Sequence, residues 1–284
     1  MKRLFLLFSL IIYFFSSSAQ TIKLDKGELL GLKANKLIII DTANIRVRYK
    51  QYIINDTIDI NSKKSNLMIL QIGEKVSKYT DYNALIGDSI ITNYIRNGDD
   101  INTILQKTSV YIKGSSRENI FKNYPKEQIT TTNLFAGSSY LYEEPSVNIK
   151  WKLATGDLTV NGYKCKKATT TLFGRNYTAW YTPDIPISNG PWKFSGLPGL
   201  ILKVEDDKKQ ISFECIALEK PSWVDQIYIN ESNYMKTNKK TFLKLYKQYK
   251  ENPGAALQNS GMIQGEIPAK AFRKRAYNPI ELSE

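Results

Sequence analysis

Between Thr182 and Leu200 the chain places Pro183, Pro186, Pro191 and Pro198. Each proline removes a backbone donor and fixes φ, so this span is neither a helix interior nor a central strand. It has to be a long ordered connection. Both of its flanks read as hairpins. Upstream, the β-branched and aromatic run Tyr163 to Phe173 turns at Gly174-Arg175 and returns as Tyr177 to Thr182. Downstream, Leu200 to Glu205 and Gln210 to Leu218 flank the polar tetrapeptide Asp206-Asp207-Lys208-Lys209. With that tetrapeptide as the loop, Val204 faces Ile211, Leu202 faces Phe213 and Leu200 faces Cys215 on one side. Lys203, Ser212 and Glu214 take the other side, with Ile201 as the exception. A connection that cannot enter a sheet, set between two hairpins that must, predicts an antiparallel β architecture.

The remainder of the chain extends this pattern. Leu37 to Thr80 carries alternating β-branched and aromatic residues with a polar break at Asn61 to Ser65, which predicts several strands. Tyr82 to Ile95 places Leu85, Ile90, Ile91 and Tyr94 at overlapping helical spacing. Strands are predicted to resume from Ser109 to Trp151. Near the C-terminus, Phe242, Leu245, Tyr246 and Tyr249 fall on one helical stripe, with lysines on the other faces and Pro253-Gly254 ending the segment. No composition break or linker divides residues 20–284. They are read as a single α+β domain, predominantly antiparallel β, with a few packed helices and a C-terminal amphipathic helix and tail.

Leu197-Pro198-Gly199-Leu200, preceded by Gly196, has the signature of a type II turn: Pro198 presets the first corner and Gly199 supplies positive φ at the second. This corner launches the strand at Leu200. Four aromatics, Trp180, Tyr181, Trp192 and Phe194, surround the proline-rich loop with Asp184 as the nearest carboxylate, and they form the candidate binding site. Ordered loops on a β scaffold carry such sites, and aromatic rings offer rigid contact area. The alternative is that the same rings cap an open end of the sheet.

Among the 284 residues there is no histidine. Ser/His/Asp and Cys/His nucleophile systems are thereby excluded, as is every metal site that relies on imidazole, and no metal or cofactor is expected. A hydrolase would have to work with carboxylates, Lys or Tyr. Residues 1–19 have a basic start at Lys2-Arg3, an apolar segment from Leu4 to Phe15 and a small-residue site at Ser17-Ser18-Ala19, the form of a secretory signal peptide. No later stretch approaches the length of a membrane-spanning helix, so export without a transmembrane segment in the mature chain is expected. An oxidising destination permits one disulfide between Cys165 and Cys215; two separate buried thiols are the alternative. Net charge is +13, and +11 once Lys2 and Arg3 are removed (13 − 2). The lysines are dispersed along the chain, which describes a basic solvated surface, and no nucleic-acid partner is expected.

GLPGLIL at Gly196 to Leu202, the upstream GYKCKKATTTLFGRNYTAWYTPDIPISNGPWKFSG and the terminal NPIEL at Asn278 to Leu282 closely resemble the GLPGLI family of exported Bacteroidetes proteins, whose activity is unknown. The resemblance implies an envelope location, in the periplasm or at the outer membrane, and a link to TonB-dependent outer-membrane uptake. It transfers no catalytic residue. A more distant likeness, to the curved half-barrel of periplasmic lipoprotein carriers, which also place a GLP turn before a strand, implies a curved sheet. The resulting expectation is a non-catalytic binding or accessory module. Its partner would be an envelope protein such as a TonB-dependent receptor, or a lipophilic or peptide ligand. The alternative is a carboxylate-dependent hydrolase built near Asp184.

Overall fold

The computed structural model describes residues 36–221, 223–260 and 266–283. The signal peptide expected at residues 1–19 lies outside them. Twelve strands form one sheet in the order β14-β7-β6-β5-β4-β3-β2-β12-β11-β10-β9-β8, with β3 at Lys63–Ile72 and β8 at Lys152–Val160, and β1 (Leu37–Thr42) pairs with β13 (Gln226–Asn230) in a separate ribbon. The large sheet is antiparallel apart from the short parallel pairing of β14 (Met235–Lys236) with β7 (Ser138–Pro145). It does not close into a barrel. The predicted α+β class, predominantly antiparallel, is what the chain adopts.

The centre of the sheet follows the hydrophobic pattern. In β2 (Ile45–Ile54), Val47 and Tyr49 are buried at 0% exposure, and in β12 (Ile211–Glu219) so is Phe213. β9 (Tyr163–Leu172) and β10 (Arg175–Thr182) form the first predicted hairpin, turning at Phe173-Gly174 with both residues at positive φ. A two-residue turn of that handedness matches the twist of the strands. In the second hairpin, β11 (Leu200–Asp206) pairs with β12 so that Val204 faces Phe213 and Lys203 faces Glu214. The register therefore differs by two residues from the sequence expectation, which keeps every side chain on its predicted face. Asp206 causes the difference. It belongs to the strand and not to the loop, and its Oδ1 accepts hydrogen bonds from the backbone N–H groups of Gln210 and Ile211, both at 2.7 Å.

Two other boundaries move. The strand region expected to begin at Ser109 starts later, because α2 (Ile101–Ile112) follows α1 (Tyr82–Asn97) as an antiparallel partner, capped by Asp100. Strands then run as β5 (Asn119–Lys122), β6 (Gln128–Phe135) and β7. At the C-terminus Pro253 does end α3 (Lys239–Glu251), but it also opens α4 (Pro253–Asn259), where its missing N–H costs nothing at the first helical position. The apolar stripe of α3 packs as predicted: Phe242 is buried against Phe135 and Tyr142.

The proline-rich loop does not lie outside this frame. It folds onto the sheet, where Trp192, Phe194 and Leu197 join Tyr49, Tyr177 and Phe213 in the main core. Phe194 is its hub, with edge-to-face contacts to Tyr177 (4.9 Å), Trp192 (5.3 Å) and Phe213 (6.0 Å). The corner itself has Gly199 at φ 150° and a backbone bond from Gly199 N–H to Leu197 C=O. It is a three-residue turn centred on Pro198, tighter than the type II form expected. Glycine is required there by contact: a β-carbon at 199 would stand 2.2 Å from the Thr182 carbonyl oxygen.

Candidate binding cavity

The five residues proposed as a binding site do not share one surface. Tyr181, Trp192 and Phe194 are core residues, Trp180 is half-buried beside Lys167 on β10, and Asp184 is exposed. Cys165 on β9 and Cys215 on β12 are both buried as free thiols. Burial raises the Cys165 thiol to about 11 and the Cys215 thiol to about 12.

What the loop builds instead is an interior wall. Lys193, between Trp192 and Phe194, is 2% exposed and reaches across the core. Its ammonium lies 2.5 Å from Glu281 of the C-terminal tail, contacts Glu144 of β7 more closely still, and donates to the Tyr142 hydroxyl at 3.2 Å. Lys239 at the start of α3 bridges the same two carboxylates at 2.9 and 2.6 Å. Two cations and two anions thus offset one another in a buried quartet. Burial alone would push the Lys193 ammonium to lose its proton, but Tyr142, Glu281 and Glu144 more than compensate and hold it well above the ordinary lysine range.

The tail reaches this quartet by a second buried cation. Arg175, at the start of β10, donates to the Ile280 and Pro279 carbonyls, to Asn278 Oδ1, to Asp206 and to Gln210. Asn278 in turn donates to the Ile54 carbonyl. Asp206, read from sequence as a solvated loop residue, is 2% exposed and paired with Arg175 at 3.2 Å. A third buried cation fixes the loop from the other side: Lys122 donates to the carbonyls of Gly190 (2.6 Å) and Phe194 (3.3 Å), and burial lowers its ammonium to about 7.

Loop, tail, α3 and the β4–β6 region of the sheet, where β4 is Ser77–Asp81, enclose a cavity of about 290 Å³. Its wall combines rings, among them Tyr79, Trp192, Phe242 and Tyr246, with amides and charged groups. Glu118 is the least satisfied of these. It faces the cavity, has no ion pair or side-chain hydrogen bond among the described residues, and is raised to about 7 by desolvation, against the opposing pull of Lys193. Asn133, 3% exposed on β6, also lines the cavity, with its side-chain amide directed at the Tyr246 hydroxyl. Among the described residues no group of three metal-ligating side chains occurs, and no helix is long and apolar enough to cross a membrane.

Sequence reasoning missed Glu118, Arg175, Lys193 and Glu281. The available signals were a lysine placed between Trp192 and Phe194 in an otherwise apolar run, and a glutamate in the NPIEL tail. The family described as a protein of unknown function (Porph_ging) has a model that matches residues 171–203, from the end of β9 through the loop into β11. This is the segment that carries the GLPGLI resemblance, and the match upholds it there. No curated protein matches. Among solved structures, PNGF-II in its P21 and C2 crystal forms is similar at 15% identity and a TM-score of 0.48. The match covers 74% of this chain and 34% of that one, so the chain spans about a third of its length.

Proposed function

We propose that this chain is a non-catalytic binding module of the cell envelope that holds a small ligand in the cavity walled by Trp192 and Lys193 of the proline-rich loop. The observation that carries the reading is the cavity itself. It lies at the lower edge of the ~300–1,000 Å³ typical of ligand sites, has aromatic walls, and presents Glu118, a carboxyl group with no ion pair or side-chain hydrogen bond among the described residues. A desolvated carboxyl group is rarely left so, and a ligand would satisfy it. The volume and the polar lining favour a compact amphipathic molecule over a long acyl chain. Export and association with TonB-dependent uptake belong to the same proposal and rest on the family resemblance. Non-denaturing mass measurement of the protein drawn from its own envelope tests it. A recurrent small-molecule adduct is expected, and a well-folded preparation with none contradicts the reading.

A second reading has one observation in its favour. Two carboxyl groups, Glu118 and Glu281, line the same cavity in different environments, the arrangement on which acid–base chemistry is built. A carboxylate-dependent hydrolase would use this pair and not the exposed Asp184. It is the weaker reading because both oxygens of Glu281 lie within ion-pair distance of Lys193 and Lys239, which holds that carboxylate as a counter-ion of the quartet. A hydrolytic activity abolished by Glu118→Gln in a folded protein would favour it.

A further inference from the structure

The charged side chains on the cavity wall fall into two groups. Lys193 and Glu281 are committed to the buried quartet, and Arg117 is paired with Asp88 at 3.0 Å. Glu118 and Lys250 are not paired in this way. The Lys250 ammonium lies over the rings of Tyr246 (5.7 Å) and Tyr277 (5.8 Å) and has no carboxylate within ion-pair distance among the described residues. Each of the two senses the other's charge, yet they do not meet, and burial opposes the charged form of both. Opposite charges held apart on one partly desolvated cavity define a gap with a fixed polarity. A singly charged ligand would close one side of that gap and leave the other unmet.

We propose that the cavity takes a small zwitterion with an aromatic or apolar body, an amino acid or a close derivative, its ammonium meeting Glu118 and its carboxylate meeting Lys250. This rests on the reading of the cavity as a binding site. Lys64, exposed at the rim beside Lys250, adds positive potential on the carboxylate side. Phe242, Tyr246 and Trp192 offer faces and edges to the apolar body.

Calorimetric titration of the mature chain with L-phenylalanine, phenethylamine and 3-phenylpropionate separates the contributions. Phenylalanine is expected to bind at least about tenfold more tightly than either singly charged analogue, one tenfold step corresponding to a single well-placed charged contact of about 1.4 kcal/mol. Glu118→Gln should lower phenylalanine affinity to that of 3-phenylpropionate without weakening 3-phenylpropionate itself. Lys250→Gln should lower it to that of phenethylamine. Binding of none of the three, or equal binding of all three, overturns the zwitterion assignment. Leu243→Trp, which adds bulk at the cavity wall, tells the two levels apart. Equal binding that is lost in this variant leaves the cavity reading standing, whereas binding that survives in it overturns both.

Discussion

Lys193 Nζ lies 2.5 Å from Glu281 Oε1 across 88 residues of chain, joining the middle of the GLPGLI-bearing loop to the NPIEL tail. The two most recognisable stretches of the sequence are therefore two sides of one buried junction. Glu144 and Lys239 complete it, and Arg175 holds the tail one turn of chain away.

Lys193→Met should destabilise the protein strongly. Removing one partner of a buried ion pair typically costs about 3–5 kcal/mol, because the opposite charge is left uncompensated. Lys239 still bridges both carboxylates, which places the expected loss near 3 kcal/mol. Urea unfolding measures it. A change below about 0.5 kcal/mol, the scale of an ordinary surface substitution, would show that the quartet does not form.

Glu118 makes stability depend on pH. Its folded value is raised from 4.5 to about 7 by burial, with Lys193, Glu281, Lys250 and Glu144 acting on it as the surrounding charges. Between those values the folded chain keeps a proton that the unfolded chain has released. Its contribution is thus fully present below about pH 4.5 and is lost as pH rises through about 7. Glu118→Gln should remove this fall, and so gain on the wild type by on the order of 1–3 kcal/mol at pH 8 while differing little near pH 4. Unfolding curves of both proteins at the two pH values give the comparison, and parallel pH profiles would contradict it.

At the corner, Gly199→Ala brings a β-carbon to within 2.2 Å of the Thr182 carbonyl oxygen, and backbone on both sides must move. A loss of about 3 kcal/mol or more is expected, against the ~1 kcal/mol of an average substitution. Thermal unfolding of this variant beside Ser195→Ala, a half-buried position in the same loop, isolates the effect.

Cys165 and Cys215 should remain unreactive thiols. Both are buried and both are shifted further from the thiolate, to about 11 and about 12. Ellman's reagent should titrate two thiols in denaturant and almost none in the native protein at pH 8. Two thiols missing after denaturation without reductant would show that a disulfide forms.

Much of the sheet was legible because its central strands alternate cleanly and its turns carry the expected glycine, as at Gly174, although that turn is Phe173-Gly174, one residue earlier than expected, with Arg175 already in β10. The register of the β11–β12 hairpin was not, because a carboxylate at position 206 looks like loop chemistry when its buried partner, Arg175, is 31 residues away. Helix α2 was hidden by Thr103, Thr108 and Val110, β-branched residues that resemble a strand locally, while Ile104 and Ile112 of the same helix pack against Ile91 of α1. The cavity was out of reach for a related reason. Trp192 and Phe194 were visible as unusual, but sequence carries no sign of which way a loop folds, and these rings turned inward. Glu118, Lys250 and Glu281 come together only through contacts between distant segments.

The central claim is that the ligand sits in the cavity walled by Trp192 and Lys193, and Leu243→Trp tests it most directly. Wild-type and variant protein, purified in parallel from the native envelope, would be compared by non-denaturing mass measurement after equal unfolding transitions have shown both to be folded. The account predicts an adduct on the wild type that is missing from the variant. The same adduct at the same occupancy on both proteins would place the ligand elsewhere and contradict it.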